Sequence, residues 1–152
     1  MTSALVVYAS ITGNNEEVGE IINEELNRLN VNSEIKEISL TNADEFEDVD
    51  ICVVCPYTYG EGDLPEEGMD FYEDLPNLNL KGKVFGCAGS GDTYYEDFAT
   101  AVDDFANQLL KAGATQGTEN LKIDLTVDEE DLKNIITFTK NLVSAFEKEH
   151  QI

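Results

Sequence analysis

Three uninterrupted apolar runs constrain this chain more than any other feature: Leu5–Ala9, Ile51–Cys55 and Val84–Ala88. A strand with one wet face alternates polar and apolar residues. A continuous run is apolar on both faces and must be covered on both. Each run is followed by a turn-prone or Gly-containing loop and then by a helical pattern. The first pattern is Val18, Ile21, Ile22, Leu26 and Leu29; the second is Met69, Tyr72 and Leu75. The third is Phe98, Val102, Phe105 and Leu109, predicted to stop near Gly113. Two weaker segments, Ser33–Ile38 and the Leu121, Ile123, Leu125 alternation, read as half-exposed strands and belong at sheet edges. A last helix opens with Thr126 and Glu129 at capping-box spacing. Its core stripe is Leu132, Ile135, Ile136, Leu142, Val143 and Phe146. Strands alternating with helices imply right-handed crossovers and a parallel sheet covered on both faces. Three central and two edge strands give the order 2-1-3-4-5, an α/β three-layer sandwich. The Rossmann order needs a sixth strand that 152 residues cannot hold. In the order 2-1-3-4-5 the chain leaves strands one and three in opposite directions, so the crevice between their carboxyl ends is the expected ligand site.

The length suits one domain over residues 1–152. Acids outnumber bases 32 to 9, a net charge of −23. Such a surface repels phosphate backbones and anionic lipid heads, so neither nucleic acid nor membrane is an expected partner. The aliphatic runs argue against disorder. Three cysteines, an odd number, argue against a disulfide framework and for a reducing, cytoplasmic setting. No signal peptide or bilayer-spanning stretch is expected. A single histidine, His150, excludes histidine triads and multi-histidine metal sites.

The loop after the first run, Ser10-Ile11-Thr12-Gly13-Asn14-Asn15, offers hydroxyls, amide side chains, a glycine and free N–H groups at a helix start. Those are the parts of an anion site. They are equally the parts of an ordinary strand-to-helix turn capped by Thr12 or Asn14. A triphosphate loop would need a lysine, which is absent; neutral donors suffice for one phosphate monoester.

Ser10-x-Thr12-Gly13-Asn14 resembles the phosphate-binding signature of the flavodoxins, small acidic proteins that carry flavin mononucleotide (FMN). The family pattern usually ends in Thr, where this chain has Asn15, which can still donate through its amide. The other two loops fit the resemblance. The second run ends in Pro56-Tyr57-Thr58-Tyr59-Gly60-Glu61-Gly62-Asp63-Leu64-Pro65, and the third in Gly89-Ser90-Gly91-Asp92-Thr93-Tyr94-Tyr95-Glu96-Asp97-Phe98, though no role is read for Gly89. A flat tricyclic ring needs polarisable walls and backbone groups along its edge. The resemblance implies Tyr59 on the inner ring face and Tyr95 on the outer, with Tyr94 the less favoured outer partner. It implies Ser90, Gly91 and Asp92 at the polar edge. Many relatives have Trp at the inner position; this chain has no Trp. Gly60-Glu61 matches the peptide that flips in the family on uptake of the first electron, turning a carbonyl toward the flavin N5. Glycine tolerates both conformers, and such a bond contributes about 1 kcal/mol. Asp92, Glu61, Asp63, Glu66 and Glu67 would disfavour a further negative charge.

Two rival motifs fail. Cys52-x-x-Cys55 has redox spacing but lies within a strand, where residues three apart face opposite sides. Asp63–Asp74 places Gly68 as a calcium loop would, but Pro65 occupies a ligand position. A phosphoacceptor receiver of the same strand order would need acids after strand one and an Asp ending strand three; Ser10 and Pro56 stand there. The resemblance implies a flavodoxin-like, short-chain fold and a monomeric low-potential electron carrier, not an enzyme. Such a carrier would hold one non-covalent FMN and shuttle single electrons through a stabilised semiquinone. Its partners would be redox proteins with basic docking patches, such as a flavodoxin reductase. The alternatives are an FMN-bearing accessory protein dedicated to one metalloenzyme client, and a flavin-free binding module.

Overall fold

The computed structural model describes residues 2–9, 13–57, 68–91, 99–124 and 126–150. The sheet is built on β1 (Ser3–Tyr8), β3 (Ile51–Cys55) and β4 (Val84–Gly91), with β2 (Asn32–Glu37) outside β1. Pairing is parallel throughout: Ala4 faces Ile51 through Tyr8 facing Cys55, and Ile51 faces Val84 through Val54 facing Cys87. The strand order is 2-1-3-4-5, the expected one, with the three continuous runs at its centre. The fifth position holds two short pieces. β5 (Thr115–Gln116) pairs with the start of β4, and β6 (Leu121–Asp124) with its end. The expected strand through Ile123 corresponds to β6, while Leu125 lies outside the described residues. Thr115 and Gln116 are exposed and polar, so they carry no pattern from which β5 could be read.

Alternation along the central strands sorts two cores. Leu5, Val7, Cys52, Val54, Phe85 and Cys87 point to one side, with Phe46, Phe71, Val102, Phe105 and Leu109 packed on them. There α2 (Met69–Asp74) and α3 (Thr100–Lys111) form the cover. Phe46 meets Phe71 edge-on with ring centres 5.4 Å apart, and Tyr72 meets Phe105 at 5.1 Å. Val6, Val53, Cys55, Val84 and Ala88 point to the other side, under Val18, Ile22, Leu26, Ile135, Phe138 and Leu142. Those residues come from α1 (Asn14–Arg28) and α4 (Glu129–His150). β3 and β4 are buried along their whole length, as their continuous runs demand.

Two expectations for α4 need correction. The reciprocal cap is made by Asp128 and Asp131, not Thr126 and Glu129: Asp131 N–H donates to Asp128 Oδ1 at 2.7 Å, and Asp128 N–H to Asp131 Oδ2 at 3.2 Å. A carboxylate can serve the cap as a hydroxyl does. The helix starts late enough for Asp128 to hold that place. The inward stripe also differs. Leu132 is 40% exposed, while Phe138 and Thr139 are buried. Thr139 is admitted because its hydroxyl donates to Ile135 O at 2.8 Å, and the reading from apolar spacing passed over it. α3 runs from Thr100 to Lys111, and Gly113 turns the chain out of it with φ +94°.

Cys52 and Cys55 lie in opposite cores, and Cys87 shares the first. Burial pushes the Cys52 thiol up to about 12 and the other two upward as well. Thiolate, the reactive form, is therefore scarce at neutral pH. The native protein is expected to leave all three thiols unmodified by a chromogenic disulfide reagent at pH 8, with three equivalents reacting in denaturant. Rapid labelling of the native state would show that the strands open.

Candidate functional site at the carboxyl edge of the sheet

The carboxyl ends of β1, β3 and β4 converge where the strand order reverses. Ala9 N–H donates to Cys55 O at 3.0 Å, extending the β1–β3 ladder past the last paired residue. Of the first loop, Ser10, Ile11 and Thr12 lie outside the described residues. Gly13 is the N-cap of α1, in the left-handed region at φ +91° and without a side-chain cap bond. That geometry favours glycine. Neither Thr12 nor Asn14 holds the cap position; Asn14 is the first helical residue and Asn15 the second. The first-turn N–H groups and the positive helix end follow β1 by a short loop, and no lysine or arginine lies in that turn.

Asn15 is fully buried. Its Oδ1 accepts the backbone N–H of Ser90 at 2.8 Å, joining the start of α1 to the end of β4. Its Nδ2 and the Ser90 hydroxyl are both buried with no hydrogen-bond partner among the described residues. An unsatisfied buried polar group costs about 1–3 kcal/mol, so two side by side at a strand end point to a polar occupant. Glu16, acidic in the same turn, has its carboxylate engaged by the Tyr8 hydroxyl at 2.9 Å. Desolvation first, then that bond, push the Tyr8 phenol up to about 12.

Backbones crowd together beside this pair. A methyl on Gly89 would lie 2.3 Å from the Pro56 carbonyl oxygen and 3.0 Å from Val102. One on Gly91 would lie 2.9 Å from Ala99 N. Tyr57, half-buried, follows Pro56. Thr58, Tyr59, Gly60 and Glu61 of the second loop lie outside the described residues, as do Asp92, Tyr94 and Tyr95 of the third. The structure thus brings Gly13, Asn14, Asn15, Tyr57, Ser90 and Gly91 to one edge. The sequence reading missed Gly89 and Tyr8. A glycine inside an otherwise apolar strand is a signal of close backbone approach; nothing in sequence marks the Tyr8–Glu16 bond. Among the described residues no cluster of His, Cys, Asp or Glu could hold a metal ion. No described helix is long and apolar enough to cross a membrane.

A doubly wound sheet with a neutral anion cradle at its switch point defines a nucleotide-binding α/β protein. Comparison with known proteins narrows the class. The flavodoxin family model matches residues 6–138. A short-chain flavodoxin associated with a non-canonical PDU bacterial microcompartment is 52% identical, with 96% of this chain and 99% of that one aligned and a TM-score of 0.94. The flavodoxin of Streptococcus pneumonia TIGR4 is 44% identical over 94% of this chain and 99% of that one, with a TM-score of 0.92. "Probable flavodoxin 1" of Bacillus subtilis (strain 168) is 35% identical over 145 residues, 95% of this chain and 92% of its own. The chain belongs to the flavodoxin family, whose members carry electrons on FMN. The residues at the edge fit that cofactor: neutral donors at a helix start for a phosphate, and buried groups on Asn15 and Ser90 that have no partner among the described residues.

Two outcomes test this edge. Gly89→Ala is expected to lower unfolding stability by on the order of 1–3 kcal/mol in urea, because the Pro56 carbonyl is backbone and cannot swing aside; unchanged stability would show that β3 and β4 can spread. Tyr8 has its phenol pKa raised on folding, so its contribution is full below about pH 10 and is lost as pH rises toward about 12. Alkaline unfolding should therefore steepen in that window, and Tyr8→Phe should remove the steepening. Identical profiles would show that another group controls it.

Proposed function

We propose that this protein shuttles single electrons between redox enzymes at low potential, holding one non-covalent FMN in a stabilised one-electron-reduced form. The buried polar groups of Asn15 and Ser90, without partners among the described residues and at the switch point of a flavodoxin-family chain, carry this reading. FMN supplies reversible one-electron chemistry when bound. Ser10, Thr12, Asn14 and Asn15 hold its phosphate through side chains, with N–H groups of Ile11 and Gly13 completing the cradle. Tyr59 and Tyr95 wall the ring, beside Tyr57 and Thr58. Ser90, Gly91 and Asp92 meet its polar edge. Gly60 would turn its peptide carbonyl, next to Glu61, to accept a hydrogen bond from a protonated flavin N5. The protein works as a cytoplasmic monomer, and its −23 charge steers partners with basic docking patches, such as a flavodoxin reductase.

A second reading is a flavoprotein dedicated to one metalloenzyme client. It draws support from the 52% identical flavodoxin described as associated with a microcompartment. Exchange with a general flavodoxin reductase separates the two: brisk exchange favours the broad carrier, poor exchange the dedicated one.

Stepwise anaerobic reduction of the FMN-loaded protein is expected to raise a long-wavelength band before full bleaching. Direct two-electron reduction would overturn the carrier reading. Gly60→Ala is expected to lower the height of that band. Electron transfer to a basic acceptor should slow as salt rises from 50 to 500 mM; a flat rate would remove the steering argument.

A further inference from the structure

The flank formed by α1 and α4 carries apolar surface that the core does not use. Ile21, Val127 and Ile136 are half-buried, and Leu132 is 40% exposed. All four line one groove. Its wider part, about 480 Å³, has Glu17 and Ile21 on one side and Val127, Asp128, Glu129 and Leu132 on the other. A second hollow of about 220 Å³ continues it between Glu24, Glu25 and Arg28 of α1 and Leu132 and Ile136 of α4. Ile21 and Leu132 line both parts and make them continuous. The groove therefore follows α1 from its first turn, at Glu17, to its last, at Arg28. At the helical rise of about 1.5 Å per residue that is about 16 Å, room for about three turns of a further helix.

The rim of this groove is acidic. None of the described ion pairs involves Glu17, Glu24, Asp128 or Glu129. Arg28, the one base that lines it, is spent on Glu25 through two bonds of 2.7 Å, and Lys140 lies within electrostatic range of the same carboxylate. A second copy of the chain would set these acids against themselves, on a molecule of net charge −23. Anionic lipid and nucleic acid are repelled in the same way. Apolar side chains between acidic rims complement a helix with aliphatic anchors at i, i+3 or i+4 and i+7, flanked by cations. We propose that the α1–α4 groove docks a cationic amphipathic helix of a partner protein, its aliphatic stripe on Ile21, Val127, Leu132 and Ile136 and its lysines or arginines against Glu17, Glu24, Asp128 and Glu129. The groove leaves the carboxyl edge of the sheet along the flank, so a partner held here leaves that edge open. The tether is a function separate from electron transfer.

The experiment uses the full chain with FMN present, carbon-13 labelled at its Ile and Leu methyl groups. The probe is a synthetic peptide of about 18 residues of Leu and Lys, its leucines on one helical face, added at about 150 mM salt. The methyl signals of Ile21, Leu132 and Ile136 are expected to shift. A peptide of the same composition with its leucines spread around the helix should bind at least about tenfold more weakly. Leu132→Ser should weaken the first peptide at least about fivefold. Glu17→Gln with Glu129→Gln should weaken it at least about threefold. Glu34→Gln with Glu73→Gln makes the same charge change at exposed positions on β2 and α2, and should leave binding within about twofold. Equal binding of the two peptides, equal losses from the two acid pairs, or methyl shifts confined to other surfaces would overturn the proposal. A dimer in sedimentation that buries these methyl groups would overturn it in favour of a second copy. Uptake of an apolar dye without peptide binding would overturn it in favour of a small ligand. Peptide docking is read without the flavin's chemistry, so failure of the carrier reading leaves this result standing.

Discussion

The pairing of β1 with β3 sets everything at the working edge of the sheet. Ala4 faces Ile51 through Tyr8 facing Cys55, and the ladder continues one bond further at Ala9. From that line the connections diverge: the chain leaves β1 through α1 on one face and leaves β3 toward α2 on the other. Divergence opens a crevice that no side chain has to carve out. The register is secured by alternation, because a one-residue slip of β3 would exchange the two cores. Both are filled by large residues that cannot trade places, Phe85 and Phe105 on one side, Phe138 and Leu142 on the other.

Charge imposes a second constraint on the same edge. With 32 acids to 9 bases, basic side chains are scarce. The described ion pairs use them elsewhere: Arg28 with Glu25, Lys36 with Glu45 and Lys122 with Asp103. Each keeps only one partner well exposed, and pairs open to solvent contribute about 0–1 kcal/mol. The start of α1, at the carboxyl end of β1, instead carries a left-handed glycine followed by two asparagines. Neutral donors keep their geometry when neighbouring carboxylates crowd the surface, whereas a lone lysine would be pulled among several acids.

Legibility followed the physics of each element. The three central strands were plain because burial on both faces leaves continuous runs. The flanking helices were plain where one face packs, as in Val18, Ile22 and Leu26. β5 was invisible because two exposed polar residues bond through backbone alone. The cap of α4 was misplaced because Thr126 and Glu129 have the right spacing while Asp128 and Asp131, equally spaced, use two carboxylates. At the site, loop positions could be read from where apolar runs stop, and family resemblance assigned roles within them. The bond between Asn15 and Ser90 could not be read at all, since 75 positions separate its partners and no spacing rule pairs one loop with the other.

The sealed thiols bear on how charge is stored. Cys52, Cys55 and Cys87 are each fully buried, two in one core and one in the other. A protein that handles reducing equivalents beside accessible sulfur would own a second reservoir, filling and draining on its own timetable and cross-linking the chain when oxidised. Here sulfur is walled off by the same double burial that makes the central strands continuous. Sulfur is thereby kept out of electron traffic, and the fold acts as insulation around the three thiols.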